Sequence, residues 1–314
     1  MPDQVRTGSV GSMAPLLPAA HLSDPAGATT GSPEQTEWRL RPGDTLVPGR
    51  RVLRLLGGGE RYEAYLAWDD RLHCPIVAKI LRPHLVGVPR AWEAIAAEAD
   101  ALERLQHPVI VRSFGAALSG ERPHLVLEFL DGPRLSTLVR KFGPLAAEQL
   151  VPLVRQLCAA LAFMAEVGWV HLDVKPRNIV MTASPRLIDL SVARRVEAAA
   201  SIKRHVGTDA YMAPEQCDPE RFGQIGSPAD VWAVGVTAYE ALTGRQPFAY
   251  DGIDRFPQLR RPPPPLPDKA PPDLAAAISA CLADDPVDRP TAVQLEAMLE
   301  PLADWSARAR RRLR

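Results

Sequence analysis

Short apolar runs, closely spaced and separated by polar turns, occupy the stretch from 51 to 81. Segment 51–56 leads into Gly57-Gly58-Gly59, and the runs 64–68 and 76–81 flank the turn-like Asp69-Asp70-Arg71. Their lengths and bounding residues predict three β-strands. The period then changes. Trp92, Ile95, Ala99, Leu102 and Leu105 recur at three-to-four-residue steps, which predicts an amphipathic helix over 90–106. Two further runs, 109–117 and 124–129, read as strands, and Gly132-Pro133 breaks the pattern. Beyond that break the helical period dominates, with helices predicted at 135–141, 146–167, 228–243, 273–282 and 291–303. A small β-rich lobe with one long helix thus precedes a larger, mainly helical lobe. Such an α+β order argues against a doubly wound sheet. No internal repeat is visible.

Composition changes this picture mainly at the ends. Residues 1–36 are rich in Pro, Gly, Ser, Ala and Thr, bury too little apolar surface to offset ordering entropy, and are expected to be disordered. Order is expected to begin near Trp38. The folded domain is expected over 37–305, with lobes at about 45–130 and 131–305, and a basic tail over 306–314 as a solvated helix end. Lys plus Arg and Asp plus Glu both number 37, so charge gives no reason to expect a nucleic-acid partner. Cys74, Cys158, Cys217 and Cys281 lie far apart without a CxxC pair, which argues for inert thiols in a reducing compartment rather than a metal knuckle. No apolar run reaches the ~18 residues of a membrane span, and the N-terminus lacks a secretion signal. A soluble, cytoplasmic protein is expected, with its oligomeric state left open.

Several segments suggest phosphoryl transfer, which needs positioning and charge neutralisation more than covalent chemistry. Gly57, Gly58 and Gly59 follow a strand, where backbone amides can approach phosphates without a Cβ in the way. Taken alone, they would more often mark a hairpin turn. Lys79, in Val77-Ala78-Lys79-Ile80, stands inside an apolar run and is costly to bury without a partner. Glu98, on the following helix, is a candidate partner.

The most specific stretch is His171-Leu172-Asp173-Val174-Lys175-Pro176-Arg177-Asn178. It resembles the HRDxKPxN catalytic loop of the eukaryotic-like, Hanks-type serine/threonine protein kinases, and the wording of the segments looks most like their bacterial members. Leu187-Ile188-Asp189-Leu190-Ser191 resembles their DFG element, and the stretch from Gly207 to Glu215 their GTxxYMAPE segment. Asp230-Val231-Trp232 resembles the helix whose aspartate braces the catalytic loop. Asp288-Arg289-Pro290 resembles the late arginine that pairs with the APE glutamate, here Glu215. The resemblance runs from about Val47 to Leu302.

It implies a two-lobed protein kinase fold and transfer of the γ-phosphate of Mg-ATP to Ser or Thr hydroxyls of proteins, including the chain itself. By the same resemblance, Asp173 would accept the substrate hydroxyl proton, Lys175 would neutralise the transferring phosphate, and the Lys79–Glu98 pair would hold ATP. Asn178 and Asp189 would ligate Mg²⁺, for which Mn²⁺ could substitute. The nucleotide would lie among Gly57, Gly58, Gly59, Ala64, Ala78, Lys79, Leu127, Glu128, Leu130 and Val180. Thr208 fits the serine/threonine subclass. Thr7, Ser9, Ser12, Ser23, Thr29, Thr30 and Ser32 are accessible candidates for self-phosphorylation.

Four departures bear on activity. Tyr62 replaces the third glycine of the phosphate loop and is expected to stiffen or lift it, and Ala64 shrinks the apolar roof over adenine. Leu172 replaces an arginine that would grip a loop phosphate, so activity is expected not to depend on loop phosphorylation. Leu190-Ser191 stands in place of Phe-Gly and is expected to restrict switching. Three readings stay open: an active protein kinase, a pseudokinase scaffold or regulatory binding protein, and a small-molecule phosphotransferase. The first is favoured because Lys79, Glu98, Asp173, Asn178 and Asp189 are all present.

Overall fold

Residues 36–250 and 252–312 are described by the computed structural model. The segment expected to be disordered lies outside the described residues except for Thr36, as do the serines and threonines proposed above for self-phosphorylation.

Six strands form one antiparallel sheet: β1 (Thr45–Val47), β2 (Arg50–Gly58), β3 (Tyr62–Asp69), β4 (Cys74–Leu81), β5 (Ser113–Ala117) and β6 (His124–Glu128). Their order across the sheet is β1-β2-β3-β4-β6-β5. The predicted strand 109–117 is corrected to its second half. Val109 and Val111 instead exchange backbone bonds with Leu187 of the helical lobe, with the Val111 N–H donating to the Leu187 carbonyl at 2.9 Å and the Leu187 N–H donating to the Val109 carbonyl at 2.6 Å. The buried apolar side chains of Val109, Ile110 and Val111 seat this crossing between the lobes, which explains their strand-like pattern.

Alternation along β4 assigns the two faces of the sheet. Ile76, Ala78 and Ile80 join Leu46, Val52, Tyr65, Ala67 and Val126 in one apolar cluster. Val77, Lys79 and Leu81 point the other way, toward helix α1 (Pro89–Arg104). The buried face of α1 carries Ile95, Glu98 and Leu102, spaced three and four residues apart. Trp38, near the start of the described residues, is tied to this lobe. Its indole N–H donates to the Leu81 carbonyl at 2.9 Å, and the Arg122 guanidinium lies over its ring.

The second lobe opens with α2 (Leu135–Phe142) and α3 (Ala147–Glu166). Two short antiparallel pairs follow: β7 (Trp169–Val170) with β10 (Arg194–Arg195), and β8 (Ile179–Val180) with β9 (Arg186–Leu187). Next come α4 (Val196–Ala200), α5 (Pro214–Cys217), α6 (Pro219–Phe222), α7 (Ser227–Thr243), α8 (Pro272–Cys281) and α9 (Ala292–Arg312). Helix α7 is apolar nearly all round, so it is buried between α3 and α8. All four cysteines are free. Burial pushes the Cys158 thiol up to about 12 and raises those of Cys217 and Cys281, which keeps all three protonated and inert. Among the described residues no helix is long and apolar enough to cross a membrane.

Candidate active site

The loop between β7 and β8 carries the most specific motif, and α7 holds it. Both Asp230 carboxylate oxygens accept backbone N–H bonds, from His171 and from Leu172, each at 2.7 Å. Leu172 adopts φ 65°, a left-handed conformation that a branched residue takes only when its surroundings impose it. Those two bonds, together with the burial of its side chain, supply that constraint. Gly207 completes the support: a Cβ there would lie 2.7 Å from the Leu172 carbonyl oxygen, and its φ is +119°. The Leu172 side chain faces the interior, so this position offers no cation to a loop phosphate.

The turn aims Asp173 into a network. Its Oδ2 accepts from Lys175 Nζ at 2.7 Å and Asn178 Nδ2 at 3.0 Å, and its Oδ1 accepts from Thr208 Oγ1 at 2.7 Å. Lys175 also bonds Thr208. One carboxylate and one cation from the same loop and one threonine hydroxyl from a second segment are thus brought together. The contact of Thr208 with Asp173 was not legible in the sequence, because 35 residues separate them.

The second cluster joins the lobes. Lys79 Nζ donates to both Glu98 oxygens at 2.6 and 2.8 Å, and to Asp189 Oδ1 at 2.8 Å. Burial opposes the charge on Lys79, but the two carboxylates override it and hold the ammonium above the ordinary lysine range. For Asp189, burial is likewise outweighed by Lys79, which holds the carboxyl well below its usual range. Burial raises Glu98 against the pull of Lys79. Asp189 also has φ 70°, and Leu190 beside it is fully buried.

The apolar positions proposed for the nucleotide divide. Ala64 lies directly opposite Lys79 on β3, and Val77 pairs with Leu127 on β6, so these side chains share the Lys79 face. Val180 is buried on β8 in the other lobe. The Glu128 carboxylate turns away to the Arg112 amide and Arg186. Ala78 must be withdrawn: strand alternation points it into the opposite cluster with Ile76 and Ile80. Val77, one residue earlier, takes its place, and the strict period of two could have shown this from the sequence. Gly58 is a required glycine, because a Cβ there would stand 2.7 Å from the Tyr62 carbonyl oxygen. Tyr62 does not lift the loop as expected. Its side chain is buried on the Lys79 face.

Buried titratable groups in both lobes give a pH expectation. Burial lowers the imidazoles of His107, His124 and His171. The unfolded chain takes up those protons as pH falls through about 6.5, so the fold loses stability below that point. Asp230, pushed by burial up to about 6, acts oppositely by taking its proton first in the folded state. Glu98 and Glu240, whose carboxyls burial also raises, act with Asp230, but at pH 5.5 the three unfolded imidazoles, with an ordinary value of about 6.5, are almost wholly protonated, so the urea midpoint is expected to be lower at pH 5.5 than at pH 7.5. An equal or higher midpoint at pH 5.5 would contradict this balance.

With the bilobal sheet-and-helix architecture and these two clusters established, comparison with known proteins gives the class. The chain matches the protein kinase domain over residues 50–299 and belongs to that family. It is 33% identical over 261 residues to the serine/threonine-protein kinase PknA of Mycobacterium tuberculosis (strain ATCC 25618 / H37Rv), covering 79% of this chain and 60% of that protein. To the probable serine/threonine-protein kinase PkwA of Thermomonospora curvata it is 34% identical over 268 residues, covering 83% of this chain and 35% of the relative. The serine/threonine-protein kinase PknB of Mycobacterium leprae is 34% identical over 206 residues, 63% of this chain and 33% of that protein. The chain therefore spans at most 60% of the length of these relatives.

Proposed function

We propose that this chain is an ATP-dependent serine/threonine protein kinase, acting on protein hydroxyls and on itself, from a domain spanning 37–305 in the cytoplasm. The observation that carries this reading is the Asp173–Lys175–Thr208 network beside the Lys79–Glu98–Asp189 cluster. In it, Asp173 orients the acceptor hydroxyl and takes its proton. Lys175 lies against Asp173, where a cation can offset charge on the transferring phosphoryl group. Glu98 holds Lys79 in place for the nucleotide phosphates. Leu127, Leu130, Val77, Ala64 and Val180 would enclose the base, with the Glu128 backbone offered to its edge.

Asn178 and Asp189 fit a hard divalent cation. The Asn178 amide nitrogen is committed to Asp173, which leaves its carbonyl oxygen as the ligand, and Asp189 supplies a carboxylate held ionised. Among the described residues no three His, Cys, Asp or Glu side chains converge on one point. That suits Mg²⁺, which takes one or two protein oxygens and completes its shell with phosphates and water. When bound, Mg²⁺ would neutralise charge on the nucleotide phosphates.

The test of the acceptor class is phosphoamino-acid analysis after incubation with Mg-ATP and a generic protein acceptor. Phosphoserine and phosphothreonine are expected, and phosphotyrosine alone would contradict the proposal. Because Leu172 is buried and uncharged, Ser201→Ala and phosphatase treatment are each expected to leave the initial rate unchanged. A large loss that Ser201→Asp restores would count against that expectation.

A further inference from the structure

Tyr62 stands where the phosphate loop would carry its third glycine, and its ring faces the cleft side of the sheet. The Lys79 ammonium lies 4.6 Å from the ring centroid. The residue is 9% exposed and joins the apolar cluster that contains Leu81 and Ile95. Its hydroxyl is buried and has no hydrogen-bond partner. An orphan hydroxyl in such a place is costly, so a buried polar atom without a partner points to one that arrives later.

The surroundings specify that partner. Burial, reinforced by the charge of Glu98, pushes the phenol up to about 12, so at neutral pH it is a donor. The acceptors near it, Glu98 and Asp189, are both committed to Lys79. The hairpin amide of Gly59 is also occupied, closing on the Tyr62 carbonyl at 2.9 Å. A group that comes to the Lys79 ammonium with spare anionic oxygens would meet the hydroxyl and satisfy it.

We propose that Tyr62 is a nucleotide-phosphate-binding residue, its ring seated on Lys79 and its hydroxyl donating to a phosphate oxygen. It replaces with a side-chain donor the close approach of backbone that a glycine would allow. The assignment rests on the reading of Lys79, Glu98 and Asp189 as the phosphate side of the nucleotide site.

Tyr62→Phe is the variant of choice, because it keeps the ring and its packing and removes only the unpaired oxygen. Calorimetric titration of the full chain with Mg-ATP and with adenosine, native against variant, separates the possibilities. The variant is expected to bind Mg-ATP on the order of tenfold more weakly, to bind adenosine as the native chain does, and to melt no lower without ligand. Equal or tighter Mg-ATP binding by the variant would overturn the proposal and make the ring a plug. An equal loss for Mg-ATP and adenosine would overturn it too, by assigning Tyr62 a packing role. Failure of the native chain to bind either ligand would overturn the nucleotide site itself, an outcome distinct from the other two.

Discussion

Asp173→Asn is expected to lower the phosphoryl-transfer rate by about two to four orders of magnitude, the range for loss of a general base. The amide cannot take the proton of the attacking hydroxyl. It would also turn an N–H₂ group toward Thr208 or toward Lys175 and Asn178, three donors that now point at the carboxylate. Asp173 makes no bond to Lys79, Glu98 or Asp189, so affinity for ATP should remain. Single-turnover rates at saturating ATP, with the ATP dissociation constant measured alongside, check both halves. A loss of less than tenfold, or a parallel loss of affinity, would remove Asp173 from the proposed role.

Arg289→Ala is expected to destabilise the helical lobe by about 3–5 kcal/mol, the cost of stripping one partner from a buried ion pair. Arg289 makes a two-pronged bond to Glu215 at 2.7 and 2.9 Å, and both side chains are fully buried. It also donates to the carbonyls of Ala283, Asp284 and Pro228 and lies over the Trp232 ring. Removing it leaves an unpaired carboxylate and three unsatisfied acceptors in one place. The double replacement Glu215→Leu with Arg289→Met leaves no orphan charge and is expected to cost less than the single change. Urea unfolding of the three proteins decides the matter, and a single-variant loss below about 1 kcal/mol, typical of an exposed pair, would contradict it.

Much of this was legible because local rules and the global fold agree. Lys79 and Glu98 could be paired on paper, since an isolated ammonium in an apolar strand needs a counter-charge and the next helix supplied one. The catalytic loop and the Glu215–Arg289 pair were likewise recognisable from motif residues alone. What failed was direction. The motif resemblance places Ala78 at the nucleotide, although the alternation of β4 turns it away from Lys79. Bulk at Tyr62 suggests a disturbed loop, yet Tyr62 lies two positions before Ala64, so both share the Lys79 face and the ring has a pocket to fill. Val109 to Val111 looked like a strand because burial between lobes produces the same apolar run as burial in a sheet. The contact of Thr208 with Asp173 depends on how the long segment after Asp189 folds back, which no local pattern encodes.

The central claim is that an ordered Asp173 network makes this chain a working phosphotransferase rather than a scaffold. Its most direct test is incubation of the purified 314-residue chain with Mg²⁺, γ-labelled ATP and a generic protein acceptor. The predicted result is label on serine and threonine, dependent on Mg²⁺ and matched by ADP release. A chain that melts cooperatively and binds Mg-ATP, yet transfers no label, would contradict the account and favour the scaffold.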